Sequence, residues 1–150
     1  MPLLTAEITD WIGRSEAPVS AEVSRRDIVK YAIATEQRRE AYRRGDEAPP
    51  MFVASLFRPM VPMDRLGPDG LPPYGAVPEL PLKRRMAGGI RMNIHRTVRP
   101  GETLTGVRTL IDIFEKEGRQ GPLIFMVYEL RVTGADGETV LEERQTRIAR

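Results

Sequence analysis

The chain has 150 residues, of which 41% are hydrophobic and 29% charged, with a net charge of +2. That length suits one domain with a single core, and no run approaches the ~18 apolar residues of a membrane span, so a soluble protein is expected. The absence of cysteine excludes disulfides, thiolate metal sites and thiol catalysis, and a single histidine leaves a zinc site short of good ligands.

In chain order, Met1 to Trp11 has neither the basic start nor the apolar stretch of a secretion signal, which makes the cytoplasm the expected location. A short strand or turn is expected near Ala17 to Val23. Ser24 and Asp27 then form an S-x-x-D capping box that opens a helix running to about Tyr42. Its first half, with Ile28, Val29, Tyr31, Ala32, Ile33 and Ala34, is apolar almost all round, the pattern of a helix enclosed by other elements. From Asp46 to Leu82 come nine of the thirteen prolines, which neither a long helix nor a central strand tolerates. A long structured loop is expected there, with Met51, Phe52, Leu56, Phe57 and Met60 packing on the body or lining a pocket.

The remainder alternates with the period of a strand. Ile90, Met92 and Ile94 face one way, and Arg91, Asn93 and His95 the other, in a half-buried strand that ends near Arg99-Pro100-Gly101. A second strand spans about Thr103 to Glu115, rich in Val107, Thr109, Ile111 and Ile113. The continuous apolar face of Ile124, Met126, Tyr128, Leu130 and Val132 marks Leu123 to Thr133 as the central strand. Asp136-Gly137 is a tight-turn dipeptide, and Thr139 to Ile148 returns as a more polar strand near an edge. One buried helix followed by consecutive antiparallel strands is an α+β order, with the sheet wrapped round the helix.

Basic residues cluster. Seven lie between Lys83 and Arg108 against one acid, Glu102, and seven between Arg25 and Arg44 against three acids. Such guanidiniums suit the phosphates of a cofactor or an acidic carrier, or they form a solvated face. Nucleic acid is disfavoured because aromatics are only 6% of the chain and do not interleave with the basic clusters. Gly88-Gly89 at a strand start permits close approach of a ligand, or marks a bulge. If a ligand approaches, the amides there with Arg84 and Arg85 suit a phosphopantetheine or nucleotide phosphate.

The string from Leu80 through Arg84-Arg-Met-Ala-Gly-Gly89 to Arg96-Thr-Val-Arg-Pro-Gly-Glu102 resembles the N-terminal half of MaoC-like, FAS1-type dehydratases, especially the mesaconyl-CoA hydratase branch. Asp10-Trp-Ile-Gly-Arg14, Ala48-Pro-Pro-Met-Phe52 and Leu66-Gly-Pro-Asp-Gly-Leu-Pro72 are similar to other marks of that family, in the same order, and together they cover nearly the whole chain. The resemblance implies a single hot-dog domain over 1–150 that pairs side by side with a second hot dog, in a heteromer or a homodimer. It also implies an acyl-CoA or acyl-carrier thioester as substrate, so that coenzyme A or phosphopantetheine enters as part of the substrate and no separate cofactor or metal is needed.

In that family the catalytic pair is an Asp and a His in a D-x-N-P-x-H pattern just after the hot-dog helix. The corresponding stretch, Ala34 to Pro50, has no histidine and no Asp-x-Asn-Pro. Hydration of a conjugated thioester needs a base on the water, a proton for the α-carbon and donors on the enolate-like oxygen, which a lone carboxylate supplies poorly. Glu36, Asp46 and Glu47 read as surface acids, and His95, on the polar face of its strand, as structural.

The expectation is therefore the hydratase half without catalytic residues, which shapes the acyl site with Arg84, Arg85, Met86, Ala87, Gly88, Gly89, Phe52 and Phe57. A homodimeric thioesterase using Glu36 or Asp46, and a non-enzymatic acyl-CoA-binding module, are the alternatives.

Overall fold

The computed structural model describes residues 2–68, 70–73, 75 and 77–150; Asp69 of the Leu66 to Pro72 motif therefore lies outside the described residues. Four strands and one short one make a single antiparallel sheet: β1 (Val19–Glu22), β2 (Arg85–Ile94), β3 (Thr103–Gly118), β4 (Gly121–Thr133) and β5 (Thr139–Ala149), in the order β1-β3-β4-β5-β2. The expected α+β class and the central place of β4 are both seen. Short helices α1 (Ala6–Thr9), α2 (Arg25–Ala34), α3 (Glu40–Arg43) and α4 (Pro50–Ser55) complete the chain with a 3-10 turn at Met63–Arg65.

The long helix is where sequence and structure part. Ser24 caps α2 as expected, its hydroxyl accepting from the Asp27 amide at 3.2 Å. The helix then stops at Ala34 instead of reaching Tyr42. The Glu36 amide bonds the Ile33 carbonyl at 3.2 Å and the Gln37 amide the Ala32 carbonyl at 2.9 Å, with Glu36 at φ 52°. This is a left-handed C-terminal cap built without the glycine that usually announces one. Nor is α2 enclosed: Ile28 and Ala32 are buried, whereas Ile33 is 71% exposed.

The proline-rich segment supplies part of the missing cover. Pro50 occupies the first turn of α4, where its lack of an amide hydrogen costs nothing, and Phe52, Val53 and Ala54 are buried. Phe52 meets Tyr31 of α2 edge-on, with ring centroids 5.6 Å apart. Met51 and Met60 are exposed, contrary to the expectation that they pack.

Cross-strand neighbours share a face, so the register sorts the strand residues. The Arg108–Leu130, Leu130–Glu143 and Glu143–Met92 pairs put these four side chains on one inner face. On that face one apolar cluster joins Ile28, Phe52, Val53 and Phe57 to Leu104, Leu130, Val132 and Leu141. A second joins Ile8 and Leu80 to Leu110, Ile113, Ile124 and Met126. Gly106 lies under Phe57, whose ring occupies the space a Cβ would need.

The Gly88-Gly89 pair lies inside β2, not at its start. The register shifts by one between Ala87 and Gly89, and Gly89 has φ 125°. This bulge keeps Arg85 and Ala87 on the same face as Ile90, Met92 and Ile94. β2 is an edge strand, and Ile90 and Ile94 remain 48% and 53% exposed, so the apolar half of this strand is less covered than its alternation predicts.

Candidate functional site

Between the two apolar clusters the inner face turns polar. β3 brings Arg108, β4 Tyr128, and β5 Glu143, Gln145 and Arg147, each in phase with buried apolar residues of its own strand. Two of these groups are charged and almost out of water: Glu143 is 1% exposed and Arg108 is 7% exposed. Burial of an ion is tolerated only with partners. Arg58, from the loop after α4, donates to both carboxylate oxygens of Glu143, at 3.1 and 3.2 Å, and to Gln145 at 3.3 Å. Arg108 is held more loosely, donating to the Phe57 carbonyl at 3.4 Å and lying 3.7 Å from a Glu16 oxygen.

A cavity of about 300 Å³ opens beside this belt. Arg85, Arg108, Arg147, Tyr128 and Gln145 form its polar floor, and the proline loop, with Pro59, Leu71, Pro72 and Pro73, forms its roof. Burial pushes the Tyr128 hydroxyl above its usual pKa, against the lowering pull of Arg147, Arg85 and Arg108. Among the described residues lining this cavity Glu16 is the one carboxylate, and no imidazole is present.

The expected site residues divide. Arg85, Met86 and Ala87 line the cavity. Strand alternation sends Arg84 to the opposite face, where it borders a second cleft of about 510 Å³ with Met86, Arg119, Gln120 and Arg150. Gly88 and Gly89 are the bulge: a Cβ on Gly88 would lie 2.8 Å from the Thr146 methyl. Phe52 and Phe57 sit in the core. Sequence reasoning missed Arg108, Tyr128, Gln145 and Arg147; the available signal was a cation in phase with Leu104, Gly106 and Leu110.

The remaining titratable candidates lie elsewhere. His95 bonds Glu142 through Nε2 at 3.0 Å, beside the charged ladder of Arg91, Arg131 and Arg144. The Arg25 guanidinium, 2.5 Å from Asp46, holds that carboxyl below the usual carboxylate range. Among the described residues no group of His, Asp and Glu is arranged to hold a metal ion, and no helix is long and apolar enough to cross a membrane.

A five-stranded antiparallel sheet packed against short helices is the hot-dog architecture. The chain belongs to the family of the FAS1-like, dehydratase domain region, whose pattern it matches over residues 10–143. It is 31% identical over 123 residues to the mesaconyl-C(4)-CoA hydratase of Chloroflexus aurantiacus. That match takes in 81% of this chain but 44% of the relative, so the chain spans less than half the length of that enzyme. Among solved structures, the ChsH1-ChsH2 complex of Mycobacterium tuberculosis matches with a TM-score of 0.69 at 19% identity, covering 90% of this chain and 88% of that one. The HadBC (3R)-hydroxyacyl-ACP dehydratase complex of the same organism gives 0.60 at 17%, covering 95% and 99%. R-hydratase PhaJ1 of Pseudomonas aeruginosa gives 0.60 at 16%, covering 92% and 81%.

Proposed function

We propose that this chain is the half of an acyl-thioester hydratase that walls the acyl site, while a second hot-dog unit supplies the catalytic Asp and His. The observation that carries this reading is a cavity built into a hydratase fold with cations and a tyrosine but no imidazole. Water addition requires one group to take a proton and another to deliver one to the α-carbon. Arginines stay protonated throughout, and Glu16 beside Arg108 is the one carboxylate among the described residues lining the cavity. The cavity therefore orients and stabilises, and the proton transfers fall to the partner. Relatives whose names describe two-component complexes support the same division.

The thioester is carried by coenzyme A or an acyl carrier protein, and the reaction is placed in the cytoplasm. The outer cleft, with Arg84, Arg119 and Arg150, suits the carrier's phosphates. A homodimeric thioesterase has less support, because Asp46 is engaged by Arg25 and Arg44, and Glu36, at the end of α2, does not line the cavity.

Coexpression with a hot-dog subunit that carries D-x-N-P-x-H tests the proposal. The pair should remove the conjugated-thioester absorbance of an enoyl-CoA, and the purified chain should not. Equal turnover by the chain alone, surviving substitution of His95, would overturn it.

A further inference from the structure

The Ala48 amide donates to the Val98 carbonyl at 2.8 Å, which sets the Ala48-Pro49-Pro50 stretch beside Arg96-Thr97-Val98. A pocket of about 210 Å³ lies at this seam and shares no lining residue with the inner cavity or the outer cleft. Its floor is Val53, Val98, Val140 and Leu141, each at most 2% exposed and part of the apolar core. The volume is below the usual range of small-molecule sites and suits a single side chain.

Glu47 is the exception in this lining. The sequence reads it as a surface acid, but its side chain is only 17% exposed. Arg39 approaches Glu47 Oε2 to 2.6 Å and balances its charge, yet that buried oxygen accepts no hydrogen bond. A buried acceptor left so is costly, and what it lacks is a hydrogen rather than a second cation. The other polar neighbours are engaged elsewhere. Arg96 is taken up by Glu102 at 2.8 Å, Glu138 at 2.5 Å and the Thr97 carbonyl at 3.0 Å, and the Tyr42 hydroxyl accepts from Arg39 at 3.3 Å. Ile94, at the end of the edge strand β2 and 53% exposed, borders the pocket, so a chain that paired with β2 would run beside its opening.

An occupant matched to these walls has an apolar body for the valines and one neutral donor for Glu47, which at this size describes tyrosine. Aromatic side chains with such a polar tip are common anchors of protein interfaces. We infer that the second hot-dog unit, on whose presence this reading depends, anchors itself by seating a tyrosine ring in this pocket, with the hydroxyl donating to Glu47.

The test has two arms. In the first, 4-methylphenol stands in for the tyrosine side chain, toluene for the same ring without the hydroxyl, and 4-methylbenzylammonium for a cation of similar shape. Nitrogen-15 amide shifts of Glu47, Ala48, Thr97 and Val98 in the full chain should saturate with 4-methylphenol at least about fivefold below the concentration needed for either of the others. In Glu47→Leu, 4-methylphenol and toluene should become equal. In the second arm the chain is coexpressed with a hot-dog subunit that carries D-x-N-P-x-H, and association is followed by sedimentation. Glu47→Leu should weaken it at least about tenfold, and Glu47→Gln, which keeps an acceptor oxygen, by under about threefold. Arg39→Gln should not weaken it, whereas a merely structural ion pair would be lost equally from either side. Far-ultraviolet circular dichroism like that of the parent shows the variants to be folded.

Equal shifts with 4-methylphenol and toluene, tighter binding of the ammonium ion, a pair indifferent to Glu47→Leu, or equal losses in Glu47→Leu and Arg39→Gln overturn the inference, and turnover of an enoyl-CoA by the pair then leaves the hydratase reading standing. Association weakened by Glu47→Leu in a pair without any turnover supports the inference and sinks the hydratase reading. Absence of any stable pair overturns both.

Discussion

Glu143 is the residue on which the inner face depends. It is 1% exposed, and its charge is balanced by Arg58, whose side chain is 32% exposed and reaches in from the loop after α4. Removing Arg58 leaves a buried carboxylate unpaired, while removing both charges leaves an apolar patch between Leu130 and Met92, its cross-strand neighbours. Arg58→Met alone should therefore cost about 3 kcal/mol in urea unfolding, and Arg58→Met with Glu143→Leu should recover most of that loss. A double variant no more stable than the single one would show that the pair contributes little. These residues were hard to read from the sequence for a physical reason. Glu143 and Arg58 are 85 positions apart, and an acid between polar neighbours in Glu142-Glu143-Arg144 reads as a solvated strand until the register shows which acid turns inward. His95 was legible, because the alternation that placed it beside Arg91 and Asn93 needs no tertiary information.

At the scale of elements, strands were read well and the helix poorly. Period-two alternation is imposed by the pleat itself, so β3, β4 and β5 begin and end within a few residues of their expected bounds. The end of α2 is set by Glu36 in a conformation that glycine usually occupies, and nothing in Ala34-Thr35-Glu36-Gln37 marks it. That conformation also predicts a stabilising change. A non-glycine residue there carries roughly 1 kcal/mol of backbone strain. Glu36→Gly should raise the stability measured by urea unfolding by about 1 kcal/mol, because the hydrogen bonds of the cap are made by backbone groups that the substitution keeps. A destabilised Glu36→Gly would show that unfolded-chain entropy outweighs the strain. The same logic explains α4, where prolines ruled out a long helix yet allowed a short one that starts on Pro50.

At the scale of the molecule, the sheet has two unequal edges. β1 is four residues long, whereas β2 is ten and carries Ile90 and Ile94 about half exposed. A long edge strand with apolar side chains is a template for pairing, and natural sheets blunt such edges with charges or prolines unless a partner covers them. β2 has Arg91 on the outer face and Arg85 at its start on the inner one, but the inner-face stretch Ile90, Met92 and Ile94 carries no charge. The exposed apolar edge gives a testable outcome, a second unit that continues the sheet at β2. Sedimentation of the purified chain, or of the coexpressed pair, should give an assembly larger than one chain. Ile90→Lys with Ile94→Lys should dissociate it, because two ammonium groups would have to be desolvated at the contact. Both positions are half exposed in the single chain, so far-ultraviolet circular dichroism should stay the same. Dissociation with the spectrum retained places the interface at β2. A variant that stays assembled puts the interface elsewhere, and the apolar edge of β2 then requires a different explanation.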